Sequence, residues 1–394
     1  MFIKNKREQH RKQSGAHGSP MPVLSITAPD DVLITDAAIP WHVEPPTREK
    51  LINAAALCHL VYWWLGPEHR PWEDLREDAK QETAPSELAP PSEEVGGGAV
   101  YEFQDREQVH SCVKTVMASV PREATLALWD PKLHAAVLRA PGRIIVFFRG
   151  TVDCGEMVND ARLSLVPLEL PGRDGLKVHQ GFKAHADALA TGGGEKLVGC
   201  VLKAIDEMRC AAEPCEVLIT GHSLGGAAAT ILAASIDAKA AAYPCSITLI
   251  TFGSPRVGNR AFAHAIDRSP RLRHWRVQNE LDVFTRLPWW LPYPGAYQHT
   301  GHHIWLTKGT ITWKPDGAFY SASMPMNVLA YPLRSMWNPS PADFRVHQMG
   351  GKFTLGYVKH LVESEWQVAQ GEKVQCEWRD ESELRVRSPE RGEF

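Results

Sequence analysis

No stretch of the 394-residue chain approaches the ~18 consecutive apolar residues of a membrane-spanning helix, so no transmembrane segment is expected. There is no excess of positive charge. Lys+Arg number 43 against 46 Asp+Glu, a balance of −3, which argues against a nucleic-acid binder working through a basic surface. The eight cysteines include no C-x-x-C pair, so the spacing that marks zinc or dithiol redox sites is missing. Free thiols in a reducing compartment are the expectation. The basic N-terminal stretch MFIKNKREQHRKQSGAHGSP is not followed by an apolar segment. A standard secretory signal is therefore not expected, and a cytoplasmic location is, with signal-less export as the alternative. The sequence shows no internal repeat.

Composition shifts divide the chain. Residues 1–46 read as a disordered basic tail and lead-in, and 371–394 as a frayed, mixed-charge tail. Between them, 47–370 reads as one domain. The run LINAAALCHLVYWWL (51–65) is apolar on most of its circumference and predicts a buried helix. Residues 73–98 carry eight acidic side chains against two basic ones and end in a glycine run, which predicts an exposed, mobile insertion.

From residue 100 the pattern alternates. TLALW (125–129), HAAVL (134–138), RIIVFF (143–148), VLIT (217–220), SITLITF (246–252) and HWRVQ (274–278) predict strands. Residues 181–208, 224–239 and 259–267 predict helices. Apolar strands alternating with helices imply an α/β fold with a mostly parallel sheet covered on both faces. Residues 286–345 break the rhythm. Six of the 13 tryptophans fall between Trp275 and Trp337, and a Trp/Pro-rich insertion is expected over 306–345, ahead of a C-terminal helix.

The sharpest local signal is Gly221-His222-Ser223-Leu224-Gly225, a G-x-S-x-G elbow with a β-branched strand before it and an Ala-rich helix after it. Such a turn exposes the Ser223 hydroxyl in a strained backbone. Glycines flank it because side chains there would strike neighbouring elements. The helix start also offers free N–H groups to developing negative charge.

Six motifs in order then resemble the class 3 lipases of the fungal triacylglycerol type. They are FFRGT (147–151), KVHQGF (177–182), GHSLGGA (221–227), TFGSPRVGN (251–259), NELDVFTRLP (279–288) and YQHTGHHIW (297–305). The resemblance covers residues 143–305, with a weaker echo from residue 51. It implies an α/β-hydrolase fold and hydrolysis of carboxylic esters without a metal or organic cofactor.

A serine hydroxyl needs a general base, and the base an orienting acid. In α/β-hydrolases these follow in the order Ser, Asp/Glu, His. The resemblance makes Asp282 the acid in preference to Glu280. Of the 17 histidines, only His299, His302, His303, His347 and His360 come after Asp282. His299 falls on a structural position of the family pattern. His347 precedes a terminal helical element ending KHLVE, as the family's base does, and is favoured over His360 inside that element. A glycine pair and extra residues between His347 and Tyr357 depart from the family pattern. By the same resemblance the oxyanion hole uses the backbone N–H groups of Leu224 and Thr151. Arg149, His179 and His222 are read as structural.

The resemblance places a lid over 152–172, with Met157, Val158, Leu163 and Leu165 as its apolar contacts. The aromatic segments 288–297 and 318–337 suit either an acyl pocket, a lipid surface or a small core of their own. The function expected is therefore a lipase or esterase acting on acylglycerol-type esters, with transient lipid-surface contact. A phospholipase or acyltransferase using the same triad, or a non-catalytic lipid-binding protein, are the alternatives.

Overall fold

In a computed structural model of the chain, the apolar runs become the middle of a sheet that has nine strands among the described residues. The structure describes residues 45–64, 66–68, 70–88, 106–131, 134–150, 164–187, 194–211, 215–279, 282, 284–288, 297–307, 310–314, 347, 357, 361 and 365–366.

The chain enters through helices α1 (Arg48–Trp63), α2 (Trp72–Asp78) and α3 (Arg106–Ser119). An antiparallel meander follows: β1 (Thr125–Asp130), β2 (Ala135–Ala140) and β3 (Arg143–Phe148). A short ribbon, β4 (Leu165–Pro167) with β5 (Lys177–His179), leads to helices α4 (Gln180–Asp187) and α5 (Gly194–Cys210). Next come β6 (Glu216–His222), α6 (Leu224–Lys239), β7 (Ser246–Phe252), α7 (Arg260–Asp267) and β8 (Leu272–Asn279). β9 (His302–Thr307), β10 (Thr310–Lys314) and β11 (Glu365–Trp366) complete the sheet.

β3, β6, β7, β8 and β9 run parallel in adjacent positions. β3 and β6 carry Ile, Val, Leu and Phe at consecutive positions because both faces of these strands are buried. Helix α6 shows why its sequence has no polar stripe. It is Ala-rich and buried along almost its whole length, against β3, β6 and β7 on one side and α4 and α5 on the other. Helix α1 covers the opposite face, packing on α3, β3 and β6. The result is the expected α/β-hydrolase architecture, with parallel strands sandwiched between helices.

Three details differ from the sequence expectations. The predicted single helix over 181–208 is described as two helical spans, with residues 188–193 between them outside the described residues. Helix α4 is described to Asp187 and α5 from Gly194. The predicted mobile insertion at 73–98 is ordered over its first part. Trp72, Leu75 and Asp78 of α2 are buried, and Asp78 accepts two hydrogen bonds from the Arg70 guanidinium at 2.8 and 2.6 Å. Acidic composition concealed a helix whose one apolar face is anchored by an ion pair. Residues 89–98 lie outside the described residues. The Trp/Pro-rich insertion expected from 306 begins as sheet instead. Residues 302–307 and 310–314 form an antiparallel pair at the parallel sheet's far side, because alternating β-branched and aromatic residues suit a strand. The rest of 315–345, the segment 289–296, the N-terminal 1–44 and the C-terminal 367–394 lie outside the described residues.

Candidate active site

Strands β6, β7 and β8 end on the same edge of the sheet, the rim where open parallel sheets gather their functional groups. At the end of β6 the chain turns directly into α6, and Ser223 is the single residue between them. Its backbone has φ +54° and ψ −125°, a region L-residues rarely adopt. Two approaches hold it there. A Cβ at Gly221 would stand 2.4 Å from the Gly225 carbonyl oxygen, and one at Gly225 would stand 2.3 Å from the Arg149 carbonyl oxygen. The Ser223 amide also donates to the Phe252 carbonyl of β7 at 2.9 Å. Leu224 is the first residue of α6, where helix geometry leaves the N–H without an intrahelical acceptor.

Asp282 follows β8 and precedes a one-turn 3₁₀ segment, Phe284–Arg286. Its carboxylate is fully buried. Oδ1 accepts the Phe284 amide at 3.0 Å, which caps the turn, while the Thr285 hydroxyl donates to the Asp282 carbonyl at 2.8 Å. Oδ2 faces the imidazole of His347, with Nδ1 at 2.9 Å. The other ring nitrogen, Nε2, lies 2.7 Å from Ser223 Oγ. A carboxylate cannot donate, so the network assigns the His347 proton to Nδ1 and leaves Nε2 to accept from the serine hydroxyl. Phe284 packs on the imidazole with ring centroids 4.4 Å apart. Ser223, His347 and Asp282, widely separated in sequence, thus form one continuous hydrogen-bonded array.

The remaining sequence candidates fall elsewhere. His302 stacks on Trp275 from β9, and His303 packs against Trp305. His299 is buried, and burial first, then the nearby Arg276 and Arg256, holds its ring well below its ordinary pKa. His179 accepts the Gly181 and Phe182 amides at the start of α4, at 3.1 and 3.3 Å, a helix-capping role. His222 Nε2 bonds the His347 carbonyl at 2.7 Å. Arg149 is buried in the turn after β3, its amide bonded to the His134 carbonyl at 3.0 Å. Thr151, Glu280, His360 and the lid candidates Met157, Val158 and Leu163 lie outside the described residues, while Leu165 is half-buried in β4.

Sequence reasoning missed Tyr357. Its fully buried hydroxyl donates to Asp282 Oδ2 at 2.5 Å and accepts the Asn279 amide at 3.2 Å. Neither spacing nor periodicity carried that signal. Among the described residues, no group of three or more His, Cys, Asp or Glu side chains is arranged to hold a metal ion. No described helix is long and apolar enough to cross a membrane.

Residues 145–291 match the family model for class 3 lipases. A phospholipase A1-II 1 of Oryza sativa subsp. indica is 36% identical over 154 residues, covering 37% of this chain and 39% of that protein. A lipase of Rhizomucor miehei is 32% identical over 200 residues, covering 50% of this chain and 51% of that protein. This chain therefore spans between about two fifths and one half of those relatives. A solved Rhizomucor miehei lipase–propeptide complex shares 28% identity over 47% of this chain and 58% of its own, with a TM-score of 0.38. The class 3 lipase resemblance drawn from the six motifs holds over the segment that contains the elbow and the aspartate.

Proposed function

We propose that this chain, whose residues 145–291 carry the class 3 lipase pattern, hydrolyses carboxylic esters of lipids through Ser223, His347 and Asp282. The observation that carries the reading is the hydrogen-bonded array itself, with Ser223 Oγ 2.7 Å from His347 Nε2 and Asp282 Oδ2 2.9 Å from Nδ1.

In this reading Ser223 Oγ attacks the ester carbonyl while its proton passes to His347 Nε2. Asp282 keeps the imidazole in the tautomer that accepts at Nε2 and stabilises the imidazolium as it forms. The carbonyl oxygen becomes an oxyanion, received by the Leu224 N–H at the positive end of α6 and, following the family pattern, by the Thr151 N–H. Collapse of the tetrahedral intermediate breaks the C–O bond, and His347 returns the proton to the departing alcohol. Water, deprotonated by His347, then cleaves the acyl-enzyme. Oxyanion donors of this type contribute about 3 kcal/mol each to transition-state stabilisation, so loss of the Thr151 donor should hurt less than Ser223→Ala.

Relatives named as lipases and as phospholipases A1 both support a glycerolipid ester as the substrate class. Acylglycerols are placed first. Hydrolysis of p-nitrophenyl esters from C2 to C16, then of a triacylglycerol emulsion and phosphatidylcholine vesicles, tests the reading. Activity on the longer esters that disappears in both Ser223→Ala and His347→Ala is the expected result. Hydrolysis that survives in Ser223→Ala, or a wild type silent on every ester, overturns it.

A further inference from the structure

Behind the elbow a second hydrogen-bonded chain runs parallel to the triad. Tyr62, near the end of α1, places its hydroxyl 3.0 Å from the Gly150 amide and 2.6 Å from His222 Nδ1. On the far side of the same imidazole, His222 Nε2 is 2.7 Å from the backbone carbonyl of His347. Chemistry fixes every direction. A carbonyl only accepts, so His222 Nε2 carries a proton and donates it. A neutral His222 then has a bare Nδ1, which accepts the Tyr62 hydroxyl proton, leaving the Tyr62 oxygen to accept the Gly150 N–H. Burial, and then the neighbouring His347, hold the His222 ring well below its ordinary pKa, which keeps it neutral. The ring is packed as well as bonded: its centroid lies 5.7 Å from Tyr62, edge-on, and 4.8 Å from His347.

We propose that Tyr62 is a positioning residue, locking the oxyanion turn at Gly150 to the backbone of His347 through His222. The inference rests on the ester-hydrolase reading and deepens it. The Tyr62 bond holds the Arg149–Gly150 peptide, the one immediately before the peptide to which the family pattern gives the second oxyanion N–H, so it anchors the turn from which that donor issues. The general base is tethered at the other end of the same chain. One side chain from a helix outside residues 145–291 therefore fixes the distance between the group that receives charge and the group that receives the proton. Precise relative placement of reacting groups is worth far more than the individual bonds that secure it. The relay also explains why the residue before the nucleophile is a histidine. A ring with one donor and one acceptor on opposite sides can bridge a tyrosine hydroxyl and a carbonyl.

Tyr62→Phe removes only the oxygen and keeps the ring. His222→Phe keeps a ring in that place and removes both the donor for the His347 carbonyl and the acceptor for Tyr62. In each variant we expect kcat on a C8 p-nitrophenyl ester to fall about tenfold, with KM unchanged within about twofold. The inhibition constant of octaneboronic acid, which forms a tetrahedral adduct on Ser223, should rise by the same factor, whereas that of 1-octanol should not. The double variant should be no worse than the poorer single one, because both break one chain. A Tyr62→Phe enzyme with wild-type kcat and boronate affinity overturns the inference and leaves the hydrolase reading standing. So do losses that multiply in the double variant, or equal weakening of boronate and octanol. A wild type inactive on esters overturns both.

Discussion

Tyr357 and His347 donate to the same oxygen atom, Asp282 Oδ2, at 2.5 and 2.9 Å. The tyrosine hydroxyl also accepts the Asn279 amide at the end of β8, so it ties the carboxylate to the strand that delivers it. The acid is thus clamped from two directions, and the imidazole meets an oxygen that cannot rotate away.

Tyr357→Phe should therefore lower kcat about three- to tenfold with little change in KM, because a mobile carboxylate orients the imidazole less well. It should also cost about 1–2 kcal/mol of stability, since the buried hydrogen bond from the Asn279 N–H to the Tyr357 hydroxyl is lost. Ester kinetics beside urea unfolding separate the two effects. Unchanged kcat would show that Phe284 and its backbone amide suffice to hold Asp282.

Asp282→Asn should be far more damaging, with kcat reduced by a factor on the order of 10⁴. The amide can donate to His347 Nδ1, which favours the tautomer that places the proton on Nε2 and leaves nothing to accept from Ser223. Labelling of Ser223 by a fluorophosphonate, followed over time, reads this directly. A labelling rate within tenfold of wild type would argue that the imidazole is oriented by its packing against Phe284 and His222 instead.

Stability should fall on acidification. His222, His274 and His299 are buried, and burial heads the causes that hold each ring well below its ordinary pKa of about 6.5. His274 bonds Thr251 and Thr300 through its two nitrogens, at 2.9 and 2.7 Å. In the folded state these rings stay neutral, while in the unfolded chain they take up protons below about pH 6.5. The unfolded state then binds more protons, so stability is fully present above pH 6.5 and is lost as pH falls below it. Each ring contributes a slope of up to about 1.4 kcal/mol per pH unit. Unfolding free energy measured between pH 7 and 5 should show the decline, and His274→Gln should reduce its slope by one proton's share. An identical slope in that variant would contradict the assignment.

Glycine substitutions should split cleanly by location. Gly221→Ala and Gly225→Ala drive a methyl to within 2.4 and 2.3 Å of backbone oxygens, where nothing flexible can yield. Loss of well over 3 kcal/mol, or failure to fold, is expected. Gly199, inside α5, has open space around its Cβ position, and Gly199→Ala should stabilise by about 0.5–1 kcal/mol. Thermal unfolding of the soluble variants tests the contrast.

The strands and the elbow were legible because their signals are local. β3, β6 and β7 are continuous apolar runs, and the turn at Ser223 demands small residues beside it. Asp282 was legible only through the six-motif resemblance, since a loop aspartate carries no periodicity. His347 was singled out by its place ahead of a terminal element. Tyr62 and Tyr357 were not legible. Each acts through one hydroxyl on a partner remote in sequence, and a tyrosine in a helix reads as packing. Helix α2 was hidden for the opposite reason, because its burial depends on Arg70, outside the acidic stretch, meeting Asp78.

The clamp on Asp282 has an electrostatic consequence. Among the described residues its oxygens accept from the Tyr357 hydroxyl, the Phe284 amide and the His347 ring, and from no lysine or arginine. Among the described residues, the resting carboxylate therefore has no lysine or arginine hydrogen-bonded to it. In the proposed reaction the missing positive charge is created on His347 when it takes the serine proton, so the enclosure is better matched to the intermediate than to the free enzyme. Part of the proposed reaction's rate enhancement is thereby built into the fold, as one pole of a dipole that the proton transfer completes.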